Sequence, residues 1–375
     1  MRILTVFGTR PEAIKLAPVV LALQEDPAME NIVCVTAQHR QMLDQVLDIF
    51  DLKPDYDLNI MKPNQSLTQL TASALEGVGR VIDDTRPDWV IVQGDTTTAF
   101  AAALAAFYRK VKVAHVEAGL RSGNIFAPWP EETNRQLVGR LTTLHFPPTR
   151  GSSENLRREA VPDDVIAVTG NTVIDALQWV AAKLDRDAAL AGTALAGLPL
   201  LNPARRMILV TGHRRENFDG GLERVCRALR QLAERGDVEI VYPVHLNPNV
   251  QATARTILAD HPAIHLIEPL DYIPFVALMR RAYMIITDSG GIQEEAPSLG
   301  KPVLVTRDTT ERPEAVQAGT AKLVGTRSEV LLVEATALLD DPAAYARMAR
   351  AKNPFGDGKA SQRIVQRLKG WRETS

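Results

Sequence analysis

The chain has 375 residues, of which 45% are hydrophobic and 23% are charged, and its formal net charge is −2. This length exceeds what one hydrophobic core usually supports, so it predicts two domains. The composition excludes a general nucleic-acid binder, which would carry a basic surplus, and a membrane-spanning protein, because no apolar run reaches about 18 residues.

Short apolar runs alternate with amphipathic helical patterns along the whole chain. In the first half, candidate strands are 2–7, 32–36, 89–92, 111–116, 143–146 and 165–168, separated by helical patterns such as 12–24, 66–84, 97–108 and 172–185. In the second half, candidate strands are 207–211, 238–243, 264–267, 284–287, 302–305 and 321–324, with helical patterns at 221–234 and 329–340. This alternation is typical of parallel sheets that carry helices on both faces.

The pattern predicts an α/β protein with two doubly wound domains that meet across a cleft. Periodicity is lost over 186–206, where we place the break between them. We expect an N-terminal domain over 1–170, completed by a C-terminal helix in 359–375, and a C-terminal domain over 171–358. Ligands of such sheets bind beyond the carboxyl ends of the strands, so polar residues that follow strands are the candidates for a site.

Two strands of the first domain are followed by residues that can bind a ligand. Thr9 is a plausible helix cap after the first strand, and it places Arg10 at the ligand edge with Lys15 one turn later. The alternative is two solvated cations at a helix end. Asp95 follows strand 89–92, where it either serves the site or only caps the next helix.

Carboxylates also follow strand 111–116 and open a predicted helix. Glu117 ends the buried strand and therefore needs a partner, and Arg121 could form a purely structural pair with it. Glu131 lies at the helix start. Arg135 comes four residues later, so a surface ion pair is the alternative there.

The segment after strand 284–287 is the clearest candidate for a phosphate site. Asp288, Ser289, Gly290 and Gly291 form a turn before a predicted helix, and free backbone N–H groups and the helix dipole attract anions at such a point. Glutamates one turn into the helix, such as Glu295, could accept hydrogen bonds from ribose hydroxyls. The alternative is an ordinary strand-to-helix turn with glycine at a left-handed position.

Cations follow other strands of the second domain. His213 precedes Arg214 and Arg215, and such a concentration of positive charge is costly unless an anion binds. His245 is either a second site histidine or a packed loop residue. Arg307 and Arg312 follow strand 302–305, beside acidic Glu311 and Glu314.

Several other classes of site are not indicated. The chain has no dinucleotide fingerprint after its first strand, no P-loop, no H-E-x-x-H and no G-x-S-x-G motif. Its histidines show no metal-ligand spacing. Cys34 and Cys226 stand in apolar surroundings, so we expect buried reduced thiols. With an N-terminus that lacks a signal-peptide core, this favours the cytoplasm.

Several motifs taken together resemble one enzyme family, the non-hydrolysing UDP-N-acetylglucosamine 2-epimerases. The resemblance covers nearly the whole chain in order, and the combination is highly specific although no single motif is. The motifs are FGTRPEAIKLAPV (7–19), QGDTTTAFAAALAAF (93–107), HVEAGLRSGN (115–124), PEETNRQL (130–137), GHRRENF (212–218), DSGGIQEEAPSLGKPVL (288–304) and TERPEA (310–315).

The resemblance implies a fold, an activity and partners. The fold is the GT-B architecture, with two Rossmann-like domains facing a central cleft that holds the nucleotide. The activity is the interconversion of UDP-GlcNAc and UDP-ManNAc, without a metal, a nicotinamide or another cofactor. The enzyme is expected to be a homodimer that supplies ManNAc units for bacterial surface polysaccharide.

The resemblance also implies roles for individual residues. Some family members bind a second UDP-GlcNAc as activator, but an arginine that some of them carry before Gln65 is Asn64 here, which argues against such activation. The implied catalytic residues are Asp95, Glu117, Glu131 and His213. The implied substrate contacts are Arg10, Lys15, Arg135, His213, Phe275 on uracil, Ser289, Gly290, Gly291, Glu295 and Arg312. The residues similar to the activator site are Gln41, Gln45, Arg214 and His245.

Three rival functions fit parts of the same sequence. A GT-B glycosyltransferase would keep the nucleotide site but needs an acceptor. A hydrolysing 2-epimerase would release free ManNAc and UDP. A sugar-nucleotide sensor would bind without turnover.

Overall fold

The computed structural model describes residues 1–37, 40–62, 64–199, 201–212, 214 and 219–371, apart from the side chains of Arg40 and Gln41. Contacts between Cα atoms divide the chain into two units. Unit 1 comprises Met1–Ala176 and the C-terminal segment that begins at Phe355, and unit 2 comprises Leu177–Pro354. None of the helices in the described ranges combines the length and apolar composition needed to cross a membrane.

Each unit contains one six-stranded parallel sheet. The strands are β1 (Arg2–Phe7), β2 (Glu30–Val35), β3 (Tyr56–Asp57), β4 (Trp89–Gln93), β5 (Lys112–Val116), β6 (Leu144–Phe146), β7 (Arg206–Thr211), β8 (Val238–Pro243), β9 (Ile264–Ile267), β10 (Met284–Thr287), β11 (Val303–Val305) and β12 (Ala321–Leu323). Their spatial orders are β3-β2-β1-β4-β5-β6 and β12-β11-β10-β7-β8-β9. Both orders reverse direction next to the first strand, as in doubly wound sheets.

Helices cover both faces of each sheet. They are α1 (Arg10–Gln24), α2 (Arg40–Ile49), α3 (Leu67–Thr85), α4 (Thr97–Tyr108), α5 (Glu131–Leu141), α6 (Arg150–Arg158), α7 (Thr172–Arg186), α8 (Ala188–Ala196), α9 (Gly221–Ala233), α10 (Pro248–Leu258), α11 (Tyr272–Arg281), α12 (Gly290–Glu295), α13 (Pro313–Gln317), α14 (Ser328–Asp340), α15 (Pro342–Ala349) and α16 (Ala360–Lys369). The central strands are buried on both faces, as a doubly covered sheet requires. The predicted α/β fold, with one doubly wound parallel sheet in each of two units, is therefore confirmed.

Helix α1 begins as its sequence predicts. The Thr9 side chain caps the helix, Glu12 completes the capping box, and Pro11 lies in the first turn, where its missing N–H costs nothing. This start places Arg10 and Lys15 on the helix that directly follows β1.

Two short edge elements differ from the prediction. Residues 165–168 are not a strand: Asp163–Val165 is a 3-10 helix, and only one isolated bridge, between His145 and Ile166, extends the sheet there. The apolar residues of this run are only partly buried. Their apolar side chains therefore suggested a strand that the backbone hydrogen bonds do not form. Strand β3 was not predicted because two residues carry no periodic signal.

The chain crosses from unit 1 to unit 2 inside α7, ahead of segment 186–206, which itself contains α8 rather than an aperiodic linker. The chain re-enters unit 1 at Phe355, and α16 then packs on α1. Lys369 of α16 forms an ion pair of 2.6 Å with Asp26 beyond the end of α1.

Candidate active site

Glu117 is the most tightly held carboxylate at the carboxyl end of the unit 1 sheet. It follows β5, and its side chain is buried. The Lys15 ammonium lies 2.7 Å and 2.6 Å from its two oxygens, and the Asn171 amide donates to Oε1 at 3.0 Å. The Gln93 amide also donates to Oε2. One cation and two amides therefore fix both oxygens of a buried acid.

The backbone of Glu117 is held in an uncommon conformation. Its φ is 63°, in the left-handed region that residues with a Cβ seldom occupy. Such strain persists only where the surroundings over-determine the conformation, and it is concentrated at functional sites. Gly94 faces the same carboxylate: a Cβ at Gly94 would lie 3.7 Å from Glu117 Oε2.

The predicted alternative partner of Glu117, Arg121, is engaged elsewhere. Its guanidinium binds both oxygens of Glu159 at 2.6 Å and 2.9 Å. A purely structural Glu117–Arg121 pair is therefore wrong, because Glu159 at the end of α6 competes for Arg121 from a position that sequence spacing does not reveal.

Asp95 does not cap the next helix. Thr96 is the cap of α4, and its hydroxyl accepts from the Ala99 N–H at 3.0 Å. The Asp95 carboxylate instead accepts two bonds from Arg135 on α5, from Nη2 at 2.7 Å and from Nε at 2.9 Å. Both side chains remain partly exposed, so this pair lies at the surface of the strand-end region.

Glu131 is the first residue of α5 and is half-buried. The predicted surface pair between Glu131 and Arg135 is wrong, because Arg135 turns towards Asp95 and Glu132. Within the described part of the chain, the Glu131 carboxylate makes no hydrogen bond or ion pair.

Glu132 is an important residue that the sequence reasoning missed. Its side chain is fully buried, and it accepts from the backbone N–H groups of Ser122 and Gly123 at 2.9 Å and 3.3 Å. It also binds Arg135 at 3.1 Å. Burial alone would raise the pKa of Glu132, but these donors outweigh it and the pKa is lowered. Glu132 therefore orients Arg135, which in turn holds Asp95.

Glu12 ties together the loops that follow β1 and β4. Its Oε2 accepts from Gly8 N–H at 3.1 Å and from Thr9 N–H and Oγ1 at 2.8 Å each. Its Oε1 accepts from the Thr96 hydroxyl at 2.7 Å. Burial raises the pKa of Glu12, and these four bonds act in the opposite direction. The only sequence signal for Glu12 was the capping box, which does not reveal the bond to Thr96.

The remaining unit 1 candidate is Arg10, the first residue of α1. It is half-buried, and its guanidinium makes no hydrogen bond or ion pair to any residue that the structure describes. Arg10 is thus a cation at the end of β1 whose charge is available to an anionic ligand.

Two histidines lie buried beneath this region. His115 and His145 are paired in the register of β5 and β6. Burial lowers the pKa of His115 to about 4 and that of His145 to about 3, so both are neutral near pH 7. The His115 Nε2 lies 2.8 Å from the Gly94 carbonyl oxygen, so as the neutral Nε2–H tautomer it donates to the loop between Gln93 and Asp95.

In unit 2, the turn after β10 brings the predicted phosphate residues together. Gly290 and Gly291 are the first two residues of α12, and neither has a positive φ, so the left-handed alternative is wrong. Ser289 is the N-cap residue, and its N–H donates to Thr287 Oγ1 at 2.9 Å. Glu295 ends α12; one of its oxygens is 3.5 Å from where a Gly291 Cβ would lie.

Arg312 lies beside the start of α12. A Cβ at Gly290 would be 3.8 Å from its guanidinium carbon, and its Nε donates to Glu294. The absence of a side chain at Gly290 leaves room in front of this cation. Within unit 2, therefore, the start of α12 and the Arg312 guanidinium lie close together, which suits a phosphate.

Arg214 is held by two acidic residues. Its backbone N–H donates to Asp288 Oδ2 at 2.8 Å, and its guanidinium lies 3.2 Å and 3.4 Å from the Glu311 carboxylate. Arg307 binds the same carboxylate at 2.9 Å. Burial would raise the pKa of Glu311, but the two arginines lower it to about 2.

The other predicted residues are dispersed or lie outside the described residues. Phe275 is in the first turn of α11, where its N–H donates to Asp271 O at 3.0 Å. Gln45 on α2 and His245 after β8 are exposed. His213 and the Gln41 side chain lie outside the described residues.

The structure contains free, buried Cys34 and Cys226, as expected. Burial raises the pKa of each thiol to about 12, which leaves both as unreactive thiols near pH 7. No group of three His, Cys, Asp or Glu side chains in the described ranges is arranged to hold a metal ion.

Comparisons with known proteins agree on one family. The family model for UDP-N-acetylglucosamine 2-epimerase matches residues 21–369. The UDP-N-acetylglucosamine 2-epimerase of Salmonella typhimurium is 57% identical over 373 residues, covering 99% of each chain. The crystal structure of the Neisseria meningitidis UDP-GlcNAc 2-epimerase bound to UDP-GlcNAc has 51% identity and a TM-score of 0.89, covering 98% of this chain and 100% of that one.

A more distant structure also covers both units. The Methanocaldococcus jannaschii UDP-GlcNAc 2-epimerase in complex with UDP-GlcNAc and UDP is 34% identical, with a TM-score of 0.79, over 98% of this chain and 99% of that one. The match thus extends over both sheets and is not confined to one domain. The chain belongs to the UDP-N-acetylglucosamine 2-epimerase family.

Proposed function

We propose that this protein is a non-hydrolysing UDP-GlcNAc 2-epimerase that interconverts UDP-GlcNAc and UDP-ManNAc. The observation that carries the proposal is the held carboxylate of Glu117, with Lys15, Gln93 and Asn171 around it, at the strand ends that also bear Asp95. Carboxylates in such an arrangement suit proton transfer at a carbon atom. The family membership supports the same substrate.

The chemistry begins at C1 of the sugar because the C2 proton is not next to a carbonyl. As the C1–O bond breaks, its electron pair leaves with UDP, and C1 becomes electron-poor. The C2 proton then passes to a base, and a C1–C2 double bond forms, giving 2-acetamidoglucal. Addition of UDP back to C1, with a proton delivered to the opposite face of C2, gives the epimer.

Unit 1 supplies the proton-transfer groups. Asp95, Glu117 and Glu131 are the proposed acids and bases. Glu131 suits this role because it has no protein partner among the described residues. Asp95 and Glu117 are oriented by their ion pairs with Arg135 and Lys15. Each carboxylate is expected to lower the activation free energy by about 3–5 kcal/mol.

Unit 2 supplies the UDP site. The leaving UDP gains negative charge, which the N–H groups of Gly290 and Gly291, the Ser289 hydroxyl and the Arg312 guanidinium would stabilise. Glu295 is suited to the ribose hydroxyls, and Phe275 to the uracil ring. Arg10 is a further proposed phosphate contact, and so is His213, which acts as a phosphate ligand rather than as a base.

One incubation tests the reaction and its rivals. The protein is mixed with UDP-GlcNAc alone in deuterated water, and the products are followed by NMR. We expect UDP-ManNAc that carries deuterium at C2, because the abstracted proton exchanges with solvent. Free ManNAc with UDP would indicate hydrolysis, and no conversion would leave a transferase or a sensor. A product that retained its C2 proton would overturn the elimination scheme.

We further propose a cytoplasmic homodimer that supplies ManNAc units for surface polysaccharide. The buried reduced thiols favour a reducing compartment. Phe107 and Tyr108, adjacent at the end of α4, are 57% and 64% exposed, with their rings 6.4 Å apart. Exposed aromatic side chains in one place are typical of a surface that a partner covers.

A further inference from the structure

Unit 2 contains a cavity of about 390 Å³ at the edge of its sheet opposite to the Asp288 turn. Most of its lining residues lie just before or at the start of the strands β7, β10 and β11, namely Arg205, Arg206, Arg281, Tyr283 and Lys301, and Tyr345 on α15 completes the lining. The amino and carboxyl ends of these parallel strands are about 10–20 Å apart at 3.3 Å per residue. The cavity is therefore separate from the proposed UDP site in this unit.

The charge lining the cavity is positive. The described lining residues include four cations but no Asp or Glu. Arg206 is neutralised by Asp237 and also donates to the Leu339 carbonyl. The side chains of Arg205, Arg281 and Lys301, in contrast, have no hydrogen bond or ion pair to any described residue. Cations that face one cavity without a counter-charge focus a positive potential into it.

Lys301 shows that this arrangement is costly to the protein alone. The residue is half-buried, and burial, together with the positive charge of Arg280, lowers the pKa of its ammonium group. A partly desolvated cation is stabilised when an anion binds beside it. Because Arg280 is paired with Asp185 and does not line the cavity, an anion in the cavity would act on the half-buried Lys301 itself.

One wall of the cavity is formed by two tyrosine rings whose hydroxyl groups already donate hydrogen bonds within the protein. The Tyr283 and Tyr345 rings stack with centroids 4.3 Å apart, and Arg206 lies over Tyr283 at 5.4 Å. The Tyr283 hydroxyl donates to Leu338 O at 3.2 Å and the Tyr345 hydroxyl to Tyr283 O at 3.0 Å. The wall thus offers a fixed, largely apolar surface beside the cations.

We propose that this cavity is a second anion site, which binds a small phosphorylated metabolite. Guanidinium and ammonium groups from three separate segments match the charge and the several acceptor oxygens of a phosphate group. The volume lies in the range of small-molecule sites and suits a phosphorylated sugar better than a protein segment. The stacked tyrosines contact the uncharged part of that ligand.

Protection of Lys301 from reductive methylation tests the site at residue level. The full-length protein is methylated in inorganic phosphate, in glucose 1-phosphate, or in sodium chloride of equal ionic strength, and each lysine is followed by mass spectrometry. We expect both phosphates to slow methylation of Lys301 in a saturable way. Lys322, which is paired with Glu334 at 2.6 Å, is the control lysine and should react at an unchanged rate.

Two arginine variants separate a site from general charge screening. Arg281→Ala should raise the half-protecting phosphate concentration about 10-fold or more, because it removes a charged hydrogen-bond donor. Arg227→Ala removes an equal charge from an exposed position on α9 and should leave the half-protecting phosphate concentration unchanged. Stronger protection by glucose 1-phosphate than by phosphate would mean that the tyrosine wall binds the sugar, and equal protection would identify the free ion as the ligand. Equal Lys301 rates in phosphate and chloride, or equal effects of the two variants, would overturn the proposal.

Discussion

Glu117 combines burial, a left-handed backbone and three donors on one carboxylate. The burial and the left-handed backbone each cost free energy that an ordinary helix cap or surface ion pair would not require. Lys15 and the amides of Gln93 and Asn171 offset that cost in the ionised form. The arrangement is therefore explained better by a catalytic role than by a contribution to stability.

Charge-removing variants of equal size test the three proposed catalytic carboxylates. Asp95→Asn, Glu117→Gln and Glu131→Gln should each lower kcat by about 10²-fold or more while changing the affinity for UDP little. Glu159→Gln is the control, because the Glu159 carboxylate is paired with Arg121 and has no proposed role in the reaction. Turnover and UDP affinity are measured by coupled assay and calorimetry. Near-normal kcat in all three variants would show that these carboxylates have structural roles and are not catalytic.

At the scale of elements, the loop after β5 packs closely on α6 through Gly119. This glycine has a φ of 85°, and a Cβ on it would lie 2.2 Å from the backbone oxygen of Ser152. No rearrangement of a flexible side chain could relieve that overlap, because the opposing atom belongs to the helix backbone. The position therefore fixes how the segment that begins with Glu117 meets its neighbouring helix.

A pair of glycine variants tests this contact. Gly119→Ala should lower the free energy of unfolding by about 3 kcal/mol or more, from backbone strain and overpacking together. Gly123→Ala is the matched control, because its φ is 78° but nothing lies within 4 Å, so only strain of about 1 kcal/mol is expected. Urea unfolding measures both. Equal losses of unfolding free energy in the two variants would show that the close contact with Ser152 does not add to the cost of Gly119→Ala.

The strands β5 and β6 also make the protein sensitive to acid. The native pKa values of His115 and His145, about 4 and about 3, lie below the value of 6.5 expected in the unfolded chain. Between pH 6.5 and these values the unfolded chain binds protons that the native state does not. Above pH 6.5 the two histidines therefore do not reduce the free energy of unfolding. Below pH 6.5 the free energy of unfolding should fall by about 1.4 kcal/mol per pH unit for each histidine.

Urea unfolding at several pH values from 7 to 5 measures this slope. His145→Gln should remove the contribution of one histidine and make the pH dependence shallower, whatever its effect on stability at pH 7. His245→Gln, at an exposed position, should leave the slope unchanged. The same slope in all three proteins would contradict protonation of the buried pair.

At the scale of the whole molecule, the two units carry complementary parts of the proposed reaction. Unit 1 holds the proposed catalytic carboxylates, and unit 2 holds the turn that is proposed to bind UDP. The family match over both sheets is consistent with this division.

The proposed homodimer is tested in solution. Sedimentation velocity should give a mass of about twice 41.1 kDa for the intact protein. The double variant Phe107→Ser, Tyr108→Ser should have the mass of a monomer, because it lacks the exposed rings that are proposed to contact the partner subunit. Val333→Ser changes an apolar residue that is 66% exposed in unit 2 and should leave the mass unchanged. A monomeric wild-type protein would refute the dimer.

The sequence by itself determined the features that depend on local pattern. Buried parallel strands are continuously apolar, and helices carry a 3.6-residue period, so the alternation predicted both sheets. Thr9, Pro11 and Glu12 specified the start of α1 because capping involves residues only a turn apart. The strand pattern predicted that Asp95, Glu117 and Ser289 follow strands, and they follow β4, β5 and β10.

Only the tertiary structure decided how these residues are partnered. Glu117 binds Lys15 and Asn171, which lie 102 and 54 residues away, and Arg121 binds Glu159 instead. Such pairs depend on which strands become neighbours, and short-range periodicity contains no information about that. The edge segment 165–168 was decided in the same way: it lies beside β6 but pairs with it through a single bridge, which is too little to make a strand.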